Sequence, residues 1–162
     1  MQISIESYTE KYEAEVLALI AAIQIEEFDI HIDLSMQPDL YNIRKFYQHG
    51  GGDFWIAKYN DNVVGTISLL DIGNNQSALR KMFVQKDFRG KIFKTGQFLL
   101  DTAIAHAKTN STDAIYLGTT QKFLAAQRFY EKNNFIEIPK NELPVAFPVM
   151  SVDSKFYMLT LT

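Results

Sequence analysis

Between Ser77 and Ala107 the chain reads SALRKMFV, then QKDFRGKIFKTG, then QFLLDTAIAHA. This is a strand-like run, a short basic loop with Gly90 and Gly96, and a run with helical periodicity. No other stretch limits the fold as tightly. A loop that leads into a helix N-terminus presents the free backbone N–H groups of the first turn, which suit an anion. Lys86, Arg89, Lys91 and Lys94 stand in that loop, although the whole chain of 162 residues carries a formal net charge of −3. The positive charge is therefore local, and a phosphate-bearing ligand is the expected occupant. A polyanion-coating protein is not expected, since those are strongly basic overall.

Two familiar phosphate sites are excluded by spelling. Gly96 is followed by Gln97-Phe98 rather than Lys-Ser/Thr, so this is not a nucleotide P-loop. Gly90 and Gly96 do not make the G-x-G-x-x-G of a dinucleotide site. Taken alone, the loop reads more readily as a turn glycine with a solvated lysine face than as a ligand site.

The length suits one domain over residues 1–162. With no cysteine, the chain has no disulfide scaffold, thiolate metal site or cysteine nucleophile. His31, His49 and His106 are scattered and no His/Asp/Glu spacing resembles a metal site, so no metal is expected. No apolar run approaches the roughly 20 residues that span a bilayer. The start, MQISIESYTEKYEAEV, is acidic and strand-like rather than a basic-then-apolar leader. A cytoplasmic protein without membrane association is the expectation.

Periodicity predicts a strand over Gln2 to Tyr8 and a helix over Glu10 to Gln24 capped by Thr9. A loop or broken helix follows over Glu26 to Pro38, then a second helix from Pro38 to about Gln48. Strands are predicted over Phe54 to Tyr59, Val63 to Leu70 and Ser77 to Val84, with Asn-rich turns between them. The helix after the glycine loop carries Phe93, Leu99, Leu100, Ala103, Ile104 and Ala107 as its buried stripe. Then come a strand at Ala114 to Leu117, a helix at Phe123 to Lys132, and strands at Phe135 to Ile138 and Lys155 to Leu161. The order describes a mixed sheet with helices on both faces.

The segment FLAAQRFYEKNNF adds a second constraint. Phe123, Ala126 and Tyr130 share one helical stripe. Asn133-Asn134-Phe135 then ends the helix, asparagine being well suited to a left-handed C-cap. With Val84-Gln85-Lys86-Asp87-Phe88-Arg89-Gly90-Lys91, Gly96, Leu99-Leu100, then Ala126, Phe129-Tyr130-Glu131-Lys132 and Phe135, the chain resembles the GNAT-type N-acetyltransferases. Gly65-Thr66-Ile67 matches that family's strand before the glycine loop. The resemblance spans most of residues 2–138, with its specific motifs inside 82–135. Three departures stand out: a longer loop from Arg89 to Leu99, Phe123 where the family often has a coenzyme A-contacting asparagine, and Asn134 in place of a glycine.

The resemblance implies an α+β, three-layer fold with a mixed, mostly antiparallel sheet of about six or seven strands. It also implies acetyl-coenzyme A as co-substrate, lying where two neighbouring strands splay apart. The cofactor-binding positions it assigns are Met82, Phe83 and Val84 on the strand, Arg89, Gly90, Lys91, Lys94, Thr95 and Gly96 at the diphosphate, and Phe123, Ala126 and Phe129 on the later helix. Tyr130 becomes the general acid for the departing thiolate. A phenol near pKa 10 donating to a thiol near 8.5 needs no unusual tuning. The base stays open among Glu26, Glu27, Asp29, His31 and Asp71, and the tail offers Phe147, Met150, Asp153 or Tyr157 as pocket lining.

The implied function is N-acetyl transfer to a primary amine of a small molecule, peptide or protein. A coenzyme A-binding sensor with weak or no catalysis is the alternative. RNA binding through Lys81, Lys86, Arg89, Lys91 and Lys94 with Phe88 and Phe93 is a third class, which the net charge opposes; no nucleic-acid partner is expected. Antiparallel edge strands near the C-terminus would suit a homodimer.

Overall fold

The computed structural model describes residues 2–26 and 34–161. Two asparagine turns set the centre of the sheet. Asn60 and Asp61 have φ of 50° and 66°, and Asn74 and Asn75 have 53° and 57°. Tight two-residue hairpins require this left-handed geometry, which Asn and Asp tolerate. The turns join β2 (Asp53–Tyr59), β3 (Asn62–Gly73) and β4 (Gln76–Val84) into an antiparallel meander. β1 (Ser4–Ser7) pairs with β2 on its outer side. Beyond β4 lie β5 (Ala114–Thr119), parallel to it, then β7 (Lys155–Thr160) and β6 (Ile136–Ile138). The sheet has seven strands in the order β1-β2-β3-β4-β5-β7-β6. The mixed, mostly antiparallel architecture expected from the sequence is the observed one.

Alternation along the strands divides the core. Trp55 and Ala57 face one side with Leu99, Leu100, Ala103 and Ala107 of α3 (Thr95–Thr109) and Tyr130 of α4 (Leu124–Lys132). Phe54 and Ile56 face the other, against Val16 and Ile20 of α1 (Glu13–Glu26) and Ile43 and Tyr47 of α2 (Ile43–Tyr47). That second face continues as Ala78, Ala114, Tyr116 and Phe156, covered by Phe147 from the loop after β6. Burial of such side chains contributes about 1.5–3 kcal/mol each.

Local departures from the sequence expectation have identifiable causes. Glu10–Tyr12 form a 3₁₀ turn before α1, and the Thr9 side chain makes no capping bond. The second helix is interrupted: Pro38–Tyr41 is a 3₁₀ turn, Asn42 turns out to φ −152°, and α2 restarts at Ile43. Phe93 lies outside α3, and Phe123 immediately precedes α4. Glu27, Asp29 and His31 lie outside the described residues. Among the described residues, no helix is long and apolar enough to cross a membrane, and no group of three or more His, Cys, Asp or Glu is placed to hold a metal ion.

Candidate functional site

β4 carries a bulge. Its pairing with β3 passes from Ser68↔Arg80 to Thr66↔Phe83, so Ile67 alone faces both Lys81 and Met82. Lys81 adopts φ 55° there. Two buried hydroxyls satisfy the displaced carbonyls: Thr66 Oγ1 donates to Lys81 O and Ser68 Oγ to Arg80 O, each at 2.7 Å. Bulges sharpen the local twist. β4 indeed parts from β5: their parallel pairing runs only from Gln76↔Ala114 to Ala78↔Tyr116. Past that point Leu79–Val84 pair with β3 alone, and Leu117–Thr119 with β7 alone. The result is an open seam walled by unpaired backbone of β4.

The glycine loop closes one end of the seam. Phe88 and Phe93 fold inward onto Tyr59, with ring centroids 5.0–5.5 Å apart. This aromatic buttress absorbs the two phenylalanines that an RNA-stacking surface would need exposed. Gly90 at φ 91° and Lys94 at φ 53° turn the backbone left-handed, and Lys94 N–H donates to Gly90 O at 3.0 Å. α3 begins next, with no side-chain cap over its first N–H groups. Thr95 is fully buried there, and among the described residues its Oγ1 has no hydrogen-bond partner. A buried orphaned hydroxyl beside open helix amides is a natural anion seat.

Met82, Gly96 and Phe129 meet at this end. A Cβ on Gly96 would lie 3.5 Å from Met82 Cε and 3.7 Å from Phe129 Cζ. Ala126 packs against the same core as Met82 and Phe129. α4 is tied to its surroundings by Gln97 Nε2 donating to Asn133 Oδ1 at 2.8 Å, Gln127 Nε2 to Thr120 O at 3.0 Å, and Lys155 Nζ to Gln127 Oε1 at 3.1 Å. The strand, loop and later helix thus converge, though not every side chain does. Phe83 turns to the α1/α2 face. Arg89 folds back so that its Nε donates to Val84 O at 2.7 Å. Lys91 and Lys94 are exposed. Gly90 has open space around its missing side chain, so backbone conformation is what requires it.

Tyr130 is 8% exposed, its ring against Phe129, Phe135 and Tyr157. Among the described residues its hydroxyl makes no hydrogen bond, and burial pushes its pKa well above that of an ordinary phenol. The neighbouring Tyr157 differs, because its hydroxyl donates to Glu131 Oε2 at 2.7 Å. Asp71 is engaged elsewhere. It accepts the Gly51 N–H at 2.8 Å and the Gly73 N–H at 2.9 Å, and these bonds hold its carboxyl below the usual carboxylate range. Such a group is a turn clamp and a poor proton acceptor. Glu26 is exposed at the end of α1, lining a groove of about 810 Å³ with Lys86 and Asp87.

Sequence reasoning missed the cluster behind the bulge. Lys81 Nζ lies 3.5 Å from Asp39 Oδ2 and 2.6 Å from Gln37 Oε1. Gln37 and Gln24 exchange amide bonds at 2.9 and 3.2 Å, and Tyr47 OH donates to Asp39 at 2.6 Å. Lys81 is therefore unavailable to a nucleic acid. A signal did exist. Consecutive Arg80-Lys81 in a strand otherwise apolar on both faces would force one charge into each face unless a bulge turns both the same way.

An acetyltransferase (GNAT) family model matches residues 14–135. N-acetylaspartate synthetase of Danio rerio is 31% identical over 114 residues, which cover 69% of this chain and 40% of that protein. The chain thus spans less than half the length of this curated relative. A GNAT-family acetyltransferase from Staphylococcus aureus Mu50 shares 46% identity at a TM-score of 0.94, covering 99% of both chains. The paia N-acetyltransferase of Thermoplasma acidophilum, crystallised with coenzyme A, shares the fold alone, at 15% identity and a TM-score of 0.73 over 99% of this chain and 100% of that one. A splayed β4/β5 seam, a glycine loop feeding α3, and a family match that runs through both place this chain in the acetyltransferase (GNAT) family.

Proposed function

We propose that the chain transfers an acetyl group from acetyl-coenzyme A to a primary amine by direct attack. The observation that carries this is the open seam, where unpaired β4 backbone leads to the orphaned Thr95 hydroxyl and the uncapped start of α3. Those groups fit the ligand's chemistry. The amides of Gly96 and its neighbours and the Thr95 hydroxyl would hold the diphosphate, and β4 backbone at Met82 to Val84 would align the pantetheine and polarise the thioester oxygen. Bound acetyl-coenzyme A supplies the activated acyl carbon.

Tyr130 holds a proton at its hydroxyl for the departing sulfur. A phenol keeps that proton at neutral pH and burial tightens its hold, so donation waits for the negative charge that develops on the sulfur; with no other partner among the described residues, the hydroxyl is oriented by the ligand. The amine must lose one proton, to a protein base or to water leading to one, before its nitrogen attacks. After the C–N bond forms and the C–S bond breaks, the nitrogen releases a second proton, which restores Tyr130. A small acceptor is favoured by the relatives named for making N-acetylaspartate. A second copy would find β6 at the sheet edge, with Ile136 exposed, and a homodimer through that strand belongs to the same proposal.

Thermal shift with acetyl-coenzyme A, ATP and NAD, followed by thiol release over an amine panel, tests the assignment. Stabilisation by acetyl-coenzyme A with amine-dependent thiol release is expected. Stabilisation without release from any amine would favour the sensor alternative, and no stabilisation would overturn both.

A further inference from the structure

At the wide end of the seam two opposite charges face each other without joining. Parallel pairing ends at Ala78↔Tyr116, so continued register would set Arg80 opposite Gly118. Ala78 faces the side of Tyr116 and Phe147, whereas Leu79 and Leu117 face the α3 side. By alternation Arg80 and the open position at Gly118 belong to the same face. Arg80 lies over Phe46 and Tyr47, 5.6 and 6.0 Å from their ring centroids. Its Nη2 donates to Met150 Sδ at 3.5 Å. Among the described residues no carboxylate lies within 4.0 Å of its guanidinium.

Across the seam, Asp153 fills the space of Gly118's missing side chain, with Oδ2 only 2.5 Å from where a Cβ would stand. The same Oδ2 accepts the Met150 N–H at 2.9 Å. Met150 therefore touches both charged groups through different atoms. Burial raises the Asp153 carboxyl, while the Met150 N–H and the Arg80 charge act in the opposite direction. Lys81, the adjacent cation, is already paired with Asp39. One half-buried guanidinium without a counterion, facing one half-buried carboxylate, is a receptor for a molecule that carries both charges.

We propose that the acceptor is a zwitterionic amine of the amino-acid class, its carboxylate bound by Arg80 and its ammonium by Asp153. This rests on the acetyltransferase reading above and narrows its acceptor. Arg80 anchors the carboxylate on the α2 side. Asp153 draws the ammonium to the β5 side of the seam, within the cleft that β4 lines.

The test compares amino acids with their carboxamides and with the matching simple amines, using thiol release. Wild type should prefer the free amino acid by about tenfold or more in kcat/KM. Arg80→Gln should raise KM for the amino acid by about tenfold and erase the preference, with acetyl-coenzyme A affinity unchanged and Arg80→Lys partly restoring it. Asp153→Asn keeps an acceptor for the Met150 N–H and should raise KM for every ammonium-bearing acceptor. Wild type that favours carboxyl-free amines, or Arg80→Gln with unaltered KM, would overturn the proposal while leaving acetyl transfer intact. If Arg80→Gln does not fold, the wild-type panel and Arg80→Lys decide. Failure of acetyl-coenzyme A to bind wild type would instead strike the underlying reading.

Discussion

Lys81 Nζ stands 3.5 Å from Asp39 Oδ2 with both side chains 6% exposed, so the β4 bulge is held from behind by a buried ion pair. Gln37 and Tyr47 complete its hydrogen bonding. Lys81→Met removes one charge and leaves Asp39 buried with the Tyr47 hydroxyl. Stranding Asp39 costs about 3–5 kcal/mol, offset in part because the buried Lys81 ammonium, itself penalised by burial, goes too. Urea denaturation at pH 7 should find that loss, and a change under about 1 kcal/mol would show the pair to be dispensable.

The same lysine sets a pH dependence. Burial pushes Lys81 down to about 8 from an ordinary 10.5, against the opposing pull of Asp39. Between those values the unfolded chain holds a proton that the folded lysine has released, so stability rises with pH. Below about 8 the cost of the buried ammonium is present in full. Wild type should therefore gain stability relative to Lys81→Met between pH 7.5 and 9.5. A narrowing difference in urea midpoints would contradict this.

Tyr130→Phe separates fold from chemistry. The hydroxyl has no partner among the described residues, so its removal should change stability by less than about 0.5 kcal/mol. A lost general acid lowers kcat by about 100-fold or more. Calorimetry should show unchanged acetyl-coenzyme A affinity. Wild-type turnover in the variant would remove Tyr130 from the mechanism.

Thr95→Val tests the diphosphate seat. The shape is kept while a buried, unsatisfied hydroxyl is removed. The ligand-free protein should become more stable by about 1 kcal/mol. Acetyl-coenzyme A should bind about tenfold more weakly, the equivalent of one lost hydrogen bond of about 1.4 kcal/mol. A variant that binds as tightly as wild type would place the diphosphate elsewhere.

Much of this was legible because it is local. The asparagine turns announced the meander, and the strand–loop–helix from Ser77 to Ala107 with Phe129-Tyr130 located the seam. What escaped depends on distant partners. Lys81 reads as a surface cation until Asp39 and Gln37 close over it from another segment. Phe93 fits a helical stripe, yet Tyr59 and Phe88 capture it in the loop. Asn42 breaks a helix that Pro38 begins well, since its N–H closes onto Asp39 O while its own carbonyl starts α2. Asp153 appeared as one of several tail residues; only Gly118, with no side chain to exclude it, gives the carboxylate a place beside the seam.

The position of β7 carries a consequence for how the molecule is made. β6 reaches the sheet only through β7, although β7 follows it in the chain. A polypeptide emerging in order must complete β6, leave it idle, and dock it once the next strand has taken its slot beside β5. Asp153 lies just before that slot, at the turn into β7. The side of the cleft that holds Asp153 is thus the last to be assembled, and a nascent chain would form its glycine loop before the far wall of the seam was in place.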